Sequence, residues 1–163
     1  MWWWIAGRTV VVMTSTVVMR TLSGLHRAVL RASAGRLGGE LAGLPSIRLT
    51  TVGRRSGKPR VSMLTVPVTL GDAFVVVASA GGDDRHPAWY LNLVDHPRVE
   101  VAFAGKPSRP MVARVATRQE RDLLWPRVTA ALANYAEYQE RTSRVIPIVV
   151  LEPAAPDGGD DAD

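Results

Sequence analysis

The 163-residue chain contains no cysteine, and this absence removes several classes of function at once. Without thiols there is no disulfide framework, no thiolate zinc site, no iron–sulfur cluster held by cysteine and no cysteine nucleophile. The absence also fits a reducing compartment, so we expect a cytoplasmic protein. No set of histidines and acids stands at ligand spacing, which predicts that the chain binds no metal.

The chain also lacks a long hydrophobic run near its start. The longest charge-free stretch there, Thr9–Met19, has eleven residues, whereas a membrane-spanning helix needs about 20. No clean small-residue cleavage site follows it, which argues against a signal peptide. One interpretation is that translation begins at Met13 or Met19, so we treat residues 1–19 as an N-terminal extension of uncertain origin.

Acidic side chains are almost absent from the first 60 residues. This segment contains one acid, Glu40, and ten arginines and lysines, which gives a net charge of +9. The other 103 residues hold ten basic and fourteen acidic side chains, a net charge of −4. This segregation predicts an anionic partner: a phosphate-bearing cofactor, a lipid surface or nucleic acid. We expect no nucleic acid, because neither of the two phenylalanines neighbours the basic residues at positions 53–60.

Residues 20–44 have apolar residues at near-helical spacing with arginines between them, followed by a glycine-rich connector. The pattern predicts a basic amphipathic helix. Such a helix can lie on the inner face of the cell membrane as a peripheral contact, or it can pack on the protein with its basic face in water. Both interpretations stay open.

Residues 45–153 are predicted to form one mainly β domain with flanking helices. About six antiparallel strands are expected, at Ile47–Val52, Val61–Thr69, Ala73–Ala78, Val99–Phe103, Met111–Ala116 and Val145–Leu151. They follow one another mostly as hairpins with no βαβ alternation, which favours a β-barrel over a doubly wound sheet.

Three helices are predicted after the third strand, starting near His86, Thr117 and Asn134. The second and third start with Thr or Asn followed three residues later by Glu, which is the capping-box pattern. Pro126 is expected to kink or restart the second helix. Residues 154–163, with four acids among the last seven, are predicted to form an acidic disordered tail.

The stretch that we call the basic turn, residues 53–60, has the strongest chemical signal. It begins with Gly53 and continues with Arg54, Arg55, Ser56, Gly57, Lys58, Pro59 and Arg60. Arginine forks match phosphate oxygens, and glycines let backbone N–H groups approach a ligand closely. The order is neither that of a P-loop nor of a Rossmann fingerprint, so the turn either binds phosphate as a charged clamp or is a solvated hairpin tip.

Three further stretches carry alternatives. Small residues at a strand end, Ala78, Ser79, Ala80 and Gly81, either let a flat ring lie against the backbone or form a plain turn. Trp89 either plugs the end of the barrel or stacks on a ring. Tyr135 and Tyr138 share one helical face, and their phenols either donate a proton to a reaction or pack beneath the barrel.

Taken in order, these stretches resemble the deazaflavin-dependent nitroreductase family, a branch of the flavin-binding split β-barrel oxidoreductases. The matching motifs are Leu49–Arg60, Val77–Ser79 with Gly81-Gly82, His86–Leu93, Tyr138–Thr142 and Ile146–Pro153, so the resemblance covers about residues 20–153. It implies a split β-barrel, with an N-terminal helix and C-terminal helices, that binds reduced coenzyme F-420, an 8-hydroxy-5-deazaflavin. The implied reaction is hydride transfer to a quinone-like, nitro or other activated organic acceptor.

The resemblance also implies roles for individual residues. The coenzyme-binding residues would be Arg54, Arg55, Ser56, Gly57, Lys58, Pro59, Arg60, Ala78, Ser79, Ala80, Gly81, Trp89 and Asn92. The catalytic residues would be Tyr135, Ser79 and Tyr138, and the substrate pocket would be lined by Met63, Thr65, Leu132 and Tyr135. Family members often have Lys at position 80, so one phosphate contact is expected to be absent here. They also often have Tyr at 132 and an aromatic residue at 65, so the acceptor pocket here is expected to be more open.

A quinone is the acceptor that we expect, ahead of a nitro compound, because the basic amphipathic N-terminal segment could hold the enzyme near a membrane quinone pool. Two alternatives remain at this point: a split barrel that binds FMN, and a non-catalytic F-420 carrier or membrane-surface binding module. Under every interpretation the protein is expected to be a monomer or a homodimer.

Overall fold

The computed structural model describes residues 40–41, 43–103 and 106–155, all of which belong to the compact unit Gly35–Asp163. The predicted N-terminal extension, nearly all of the predicted basic helix and connector, and most of the predicted acidic tail lie outside the described residues.

The described residues form a mainly β fold, as predicted. Their strands are β1 (Glu40–Leu41), β2 (Leu44–Val52), β3 (Pro59–Thr65), β4 (Val68–Leu70), β5 (Ala73–Val77), β6 (Arg98–Phe103), β7 (Arg109–Val115) and β8 (Ile148–Pro153). Their helices are α1 (Ala88–Asp95), α2 (Arg118–Ala131) and α3 (Asn134–Glu140), and a short 3-10 helix spans Ala80–Gly82. No helix among the described residues is both long and apolar enough to cross a membrane.

All strand pairs among the described residues are antiparallel. The sheet runs β1-β2-β6-β7-β8-β5-β4, and β3 pairs with the remaining edge of β2. Val52 and Pro59 are register partners at the end of the β2–β3 hairpin, so the basic turn projects from that end of the sheet. β3, on the outer edge of β2, and β4, at the other end of the sheet, are consecutive strands in the chain.

The single strand predicted over residues 61–69 is two strands in the structure. Val66 and Pro67 separate β3 from β4. Proline has no N–H to donate to a strand ladder, and the N–H of Val66 donates to the carbonyl of Pro45 at 2.8 Å. This break, together with the short β1, raises the number of described strands to eight from the six expected.

The capping prediction is confirmed for α2 and wrong for α3. The Thr117 hydroxyl accepts from the N–H of Glu120, whose carboxylate accepts in return from the N–H of Thr117. By contrast, Asn134 is the first residue of α3 and caps nothing. Its amide instead donates to the Tyr138 hydroxyl one turn later, at 3.2 Å.

Of the two outcomes predicted at Pro126, a kink or a restart, the restart does not occur. The helix runs without interruption from Arg118 to Ala131. Leu124 and Val128, on either side of the proline, are both buried in the core. Burial of this apolar face outweighs the one backbone hydrogen bond that the proline removes.

Two apolar cores lie on opposite faces of β5. Phe74, Val76 and Ala78 face the first, which also contains Trp89 and Leu93 of α1. Ala73, Val75 and Val77 face the second core, to which α2 and α3 contribute. The buried residues of this second core are Val68, Ala73, Val75, Val77, Leu124, Val128, Tyr135, Ile146, Ile148 and Val150. Every residue of β5 is buried, as its Val-rich sequence predicts.

Candidate functional site

The basic turn is wound tightly on Gly53. The N–H of Gly53 donates to the carbonyl of Lys58 at 2.8 Å, and the N–H of Gly57 donates back to the carbonyl of Gly53 at 2.7 Å. A Cβ at Gly53 would lie 2.7 Å from the Ser56 hydroxyl and 3.1 Å from the carbonyl oxygen of Lys58, so a larger residue there would displace the Ser56 side chain and crowd the turn. Gly57 has a φ of +64°, which favours glycine.

Asn92 of α1 fastens this turn to the body of the protein. Its side-chain oxygen accepts from the N–H of Arg54 at 3.2 Å, and its side-chain nitrogen donates to the Thr51 hydroxyl at 3.1 Å. Asn92 and Thr51 are both buried. The turn is therefore held in one place before any ligand arrives.

The cations of the turn face solvent. Arg54, Arg55, Lys58 and Arg60 are all exposed, and among the described residues none of the four forms an ion pair with a carboxylate. Within the described part of the chain, the Arg60 guanidinium makes a single, long hydrogen bond, to the Ser56 hydroxyl at 3.4 Å. Four like charges on one turn raise the local potential and favour an anion.

A cleft of about 510 Å³ opens beside the basic turn. Val52, which precedes the turn, and Pro59 within it line the cleft together with Arg98, Glu100 and Met111. Its volume is within the range that small ligands occupy. Of the predicted site residues only Pro59 contributes to this cleft. The others that line it were missed because they come from β2, β6, β7 and the residues after β8, which are far apart in the sequence.

The small residues after β5 form a segment that we call the left-handed turn, Ala80–Gly82. Its φ angles are +50°, +68° and +84°. The value at Ala80 is strained, because a left-handed conformation costs a residue with a Cβ roughly 1–2 kcal/mol. Ala78 and Ser79, directly before the turn, are buried.

Helix α3 rests directly on the left-handed turn. A Cβ added at Gly82 would lie 2.9 Å from both the carbonyl oxygen of Tyr138 and the Cβ of Arg141. Only a glycine allows this approach. The predicted coenzyme stretch and the helix of the predicted catalytic tyrosines are therefore in contact.

Arg144 contacts the backbone beside the left-handed turn, and the sequence did not predict this role. Its guanidinium donates to the carbonyls of Ser79 at 2.7 Å and of Asp83 at 2.8 Å. No local pattern marks it, because these partners lie 65 and 61 positions earlier in the chain.

Trp89 lies in the first core, only 9% exposed, and its ring meets that of Tyr90 edge-on at 6.3 Å. This packing is what the plug interpretation requires. It leaves little of the indole surface open for a stacked ring.

The two tyrosines of α3 contact each other edge to face, with ring centroids 6.1 Å apart. Tyr135 lies in the second core, and burial raises its pKa to about 12, with Tyr138 adding to the rise. Tyr135 is therefore neutral at physiological pH, a good hydrogen-bond donor but a weak acid. Tyr138 is half-buried, and its hydroxyl accepts from Asn134.

The four residues predicted to line the substrate pocket fall into two groups. Leu132 packs against the second core, which contains Tyr135. Met63 and Thr65 lie half-buried on β3, and they flank Leu64, which packs against the first core. Because side chains alternate along a strand, Met63 and Thr65 point to the face away from that core.

Comparisons with known proteins agree with the motifs. Residues 22–153 match the family described as F420H(2)-dependent quinone reductase. The chain is 42% identical to a reductase of that name from Mycobacterium tuberculosis, over 78% of this chain and 87% of that protein.

Two solved structures are similar as well. One, an F-420-H2-dependent reductase, has a TM-score of 0.60 and 38% identity and covers 66% of this chain and 94% of its own. The other, described as a domain-swapped dimer, has a TM-score of 0.61 and 31% identity and covers 84% of this chain and 100% of its own. The family match confirms the resemblance to deazaflavin-dependent enzymes, and the chain belongs to the F-420-dependent quinone reductase family.

Proposed function

We propose that this protein is an F-420-dependent oxidoreductase that passes a hydride from the reduced deazaflavin to a quinone. Nitro compounds and other activated organic acceptors are secondary candidates. The observation that carries the proposal is the basic turn, which has four exposed cations and whose backbone is bonded to Asn92 through the N–H of Arg54.

The basic turn fits the anionic part of F-420. The coenzyme carries a phosphate and glutamate carboxylates, and the turn offers Arg54, Arg55, Lys58 and Arg60 without carboxylate partners among the described residues. Each charge-assisted hydrogen bond contributes about 1.5–3 kcal/mol. Since the turn is already ordered, little of this energy is spent on fixing its backbone.

We assign the deazaflavin ring to the stretch Ala78–Gly81. Its side chains are small, and its left-handed backbone is fixed from one side by α3. When bound, reduced F-420 supplies the hydride. The chain supplies the surface that orients the ring. Trp89 packs α1 onto the first core, and Asn92 links α1 to the basic turn.

We assign the acceptor to the side of the left-handed turn where α3 lies. Tyr135 has a pKa of about 12, so we propose that it orients the acceptor through a hydrogen bond and stays protonated. Tyr138, half-buried above Gly82, would close the pocket beside Ser79 and Leu132. Met63 and Thr65 belong to this pocket only if it extends to the outer face of β3.

The proposal has consequences for shape, assembly and location. We propose that the sheet bends into a split barrel, because its terminal strands β3 and β4 are consecutive in the chain. A homodimer is one candidate assembly, since a similar solved structure is a dimer. We also propose a cytoplasmic enzyme whose basic segment, residues 20–44, contacts the inner face of the membrane near a quinone pool.

The test is oxidation of reduced F-420 by a soluble quinone such as menadione, followed by the return of deazaflavin absorbance. We expect turnover that depends on both the enzyme and the quinone. Tight F-420 binding without turnover, across several quinones and nitro compounds, would show a carrier and contradict the proposal.

The coenzyme site is tested with Arg54→Gln and Arg60→Gln. Each variant should weaken F-420 binding by about 10- to 150-fold, the equivalent of one lost charge-assisted contact. The matched control is Arg127→Gln, because Arg127 is an exposed arginine on α2. Equal affinities in all three variants would refute the assignment of the basic turn.

A further inference from the structure

Arg144 lies between α3 and β8, and its guanidinium spans both ends of the left-handed turn. Before the turn, one terminal nitrogen donates to the carbonyls of Ala78 at 3.1 Å and Ser79 at 2.7 Å. After the turn, Nε donates to the carbonyl of Asp83 at 2.8 Å. The other terminal nitrogen lies 3.3 Å from Nδ1 of His86.

The backbone around Arg144 is itself held by side chains. The Gln139 amide donates to the carbonyl of Arg144 at 2.8 Å and accepts from the N–H of Ile146 at 2.9 Å. The Thr142 hydroxyl accepts from the N–H of Arg144 and donates to the Asp84 carboxylate at 2.7 Å. The backbone of Arg144 is therefore fixed by hydrogen bonds, as its guanidinium is.

The left-handed turn needs such support. Strained backbone persists only where its surroundings over-determine it, and Ala80 has a φ of +50°. The planar guanidinium presents five donors in a rigid fork. Glutamine could not join carbonyls on both sides of the turn in this way, since it has a single amide group.

We propose that Arg144 is a positioning residue of the coenzyme site, which fixes the left-handed turn so that the deazaflavin ring can lie against it. This inference rests on the proposed function. Because its donors are directed at protein carbonyls, Arg144 differs from Arg54 and Arg60, which hold the anionic part of the coenzyme. Its loss should weaken binding of the ring and leave the contribution of the phosphate unchanged.

A pair of ligands separates these roles: intact F-420, and the deazaflavin riboside that has the ring but neither phosphate nor glutamates. Arg144→Gln should weaken binding of both ligands by the same factor, about 10-fold for the net loss of one to two hydrogen bonds. Arg54→Gln should weaken binding of F-420 and leave the riboside at wild-type affinity. Arg144→Lys keeps the charge without the fork and should lie between wild type and Arg144→Gln.

The matched control for lost stability is Arg114→Gln. Arg114 makes charge-assisted hydrogen bonds to Glu152 and Glu120, away from the turn. Its removal should lower Tm without changing the riboside affinity. If Arg144→Gln does not fold, Arg144→Lys carries the same comparison.

The outcomes are distinct. Parallel losses for both ligands in the Arg144 variants, with Arg114→Gln unchanged, support the proposal. Wild-type riboside affinity in the Arg144 variants, or an equal loss in Arg114→Gln, overturns the role of Arg144 alone. If the wild-type protein binds neither ligand, the proposed function fails, and the role of Arg144 fails with it.

Discussion

Replacing Asn92 by alanine isolates the attachment of the basic turn. The substitution removes the hydrogen bonds to the N–H of Arg54 and to the Thr51 hydroxyl. At a net 0.5–1.5 kcal/mol for each bond, the free energy of unfolding should fall by about 1–3 kcal/mol. For a chain of this size that corresponds to a drop in Tm of roughly 2–12 °C.

Coenzyme affinity should fall as well, although Asn92 is not expected to touch the phosphate. A released turn must be ordered again when the ligand binds, at about 1–2 kcal/mol for each residue that is fixed. Reordering a single residue therefore weakens F-420 binding by roughly 5- to 30-fold. Fluorescence titration at a temperature well below the Tm of the variant measures this loss without interference from unfolding.

Thr51→Val is the matched control for Asn92→Ala. It removes the buried bond to Asn92 and the long, 3.4 Å bond from the Thr51 hydroxyl to the carbonyl of Arg60, and it leaves the bond from the N–H of Arg54 to Asn92 in place. We expect a loss of stability with nearly wild-type affinity for F-420. If Asn92→Ala bound F-420 as tightly as wild type, the turn would not depend on this attachment, and the reasoning would be refuted.

Three further predictions follow from strain and titration. Gly82→Ala should lower the free energy of unfolding by more than Gly81→Ala, measured in urea, because both residues have positive φ but only Gly82 has α3 within 2.9 Å of the added Cβ. The pKa of Tyr135 rises from 10.0 in the unfolded chain to about 12 in the fold, so stability is lost as the pH rises from 10 through 12. Tyr135→Phe should abolish this alkaline loss, and identical urea midpoints for the two proteins from pH 9 to 12 would contradict it. Burial, and secondarily the charge of Arg144, lower the pKa of His86 below 6.5, so stability is lost as the pH falls from 6.5 through that lower value. His86→Gln should reduce this acid loss, and an unchanged acid limb of the stability curve would count against the shift.

The sequence predicted the features whose causes are local. The β2–β3 hairpin, the capping box at Thr117 and the complete burial of β5 each follow from residues within a few positions of one another. Glycine and basic residues mark the basic turn for the same reason. Its role as a ligand site remains a prediction.

Features that depend on distant partners were predicted less well. Asn134 has the sequence of a helix cap, yet its amide binds Tyr138 instead. Asn92 was singled out by resemblance, but its two partners lie 38 and 41 positions earlier, beyond any local pattern. Arg144 gave no signal at all, because only the folded chain brings it to Ser79.

Parallel titrations of the purified protein with F-420 and with FMN, at low and high salt, test the central claim most directly. We predict micromolar or tighter binding of F-420, weakened by salt because the basic turn neutralises phosphate and carboxylates, and no comparable binding of FMN. Preference for FMN, or binding of neither ligand, would contradict the assignment of the coenzyme.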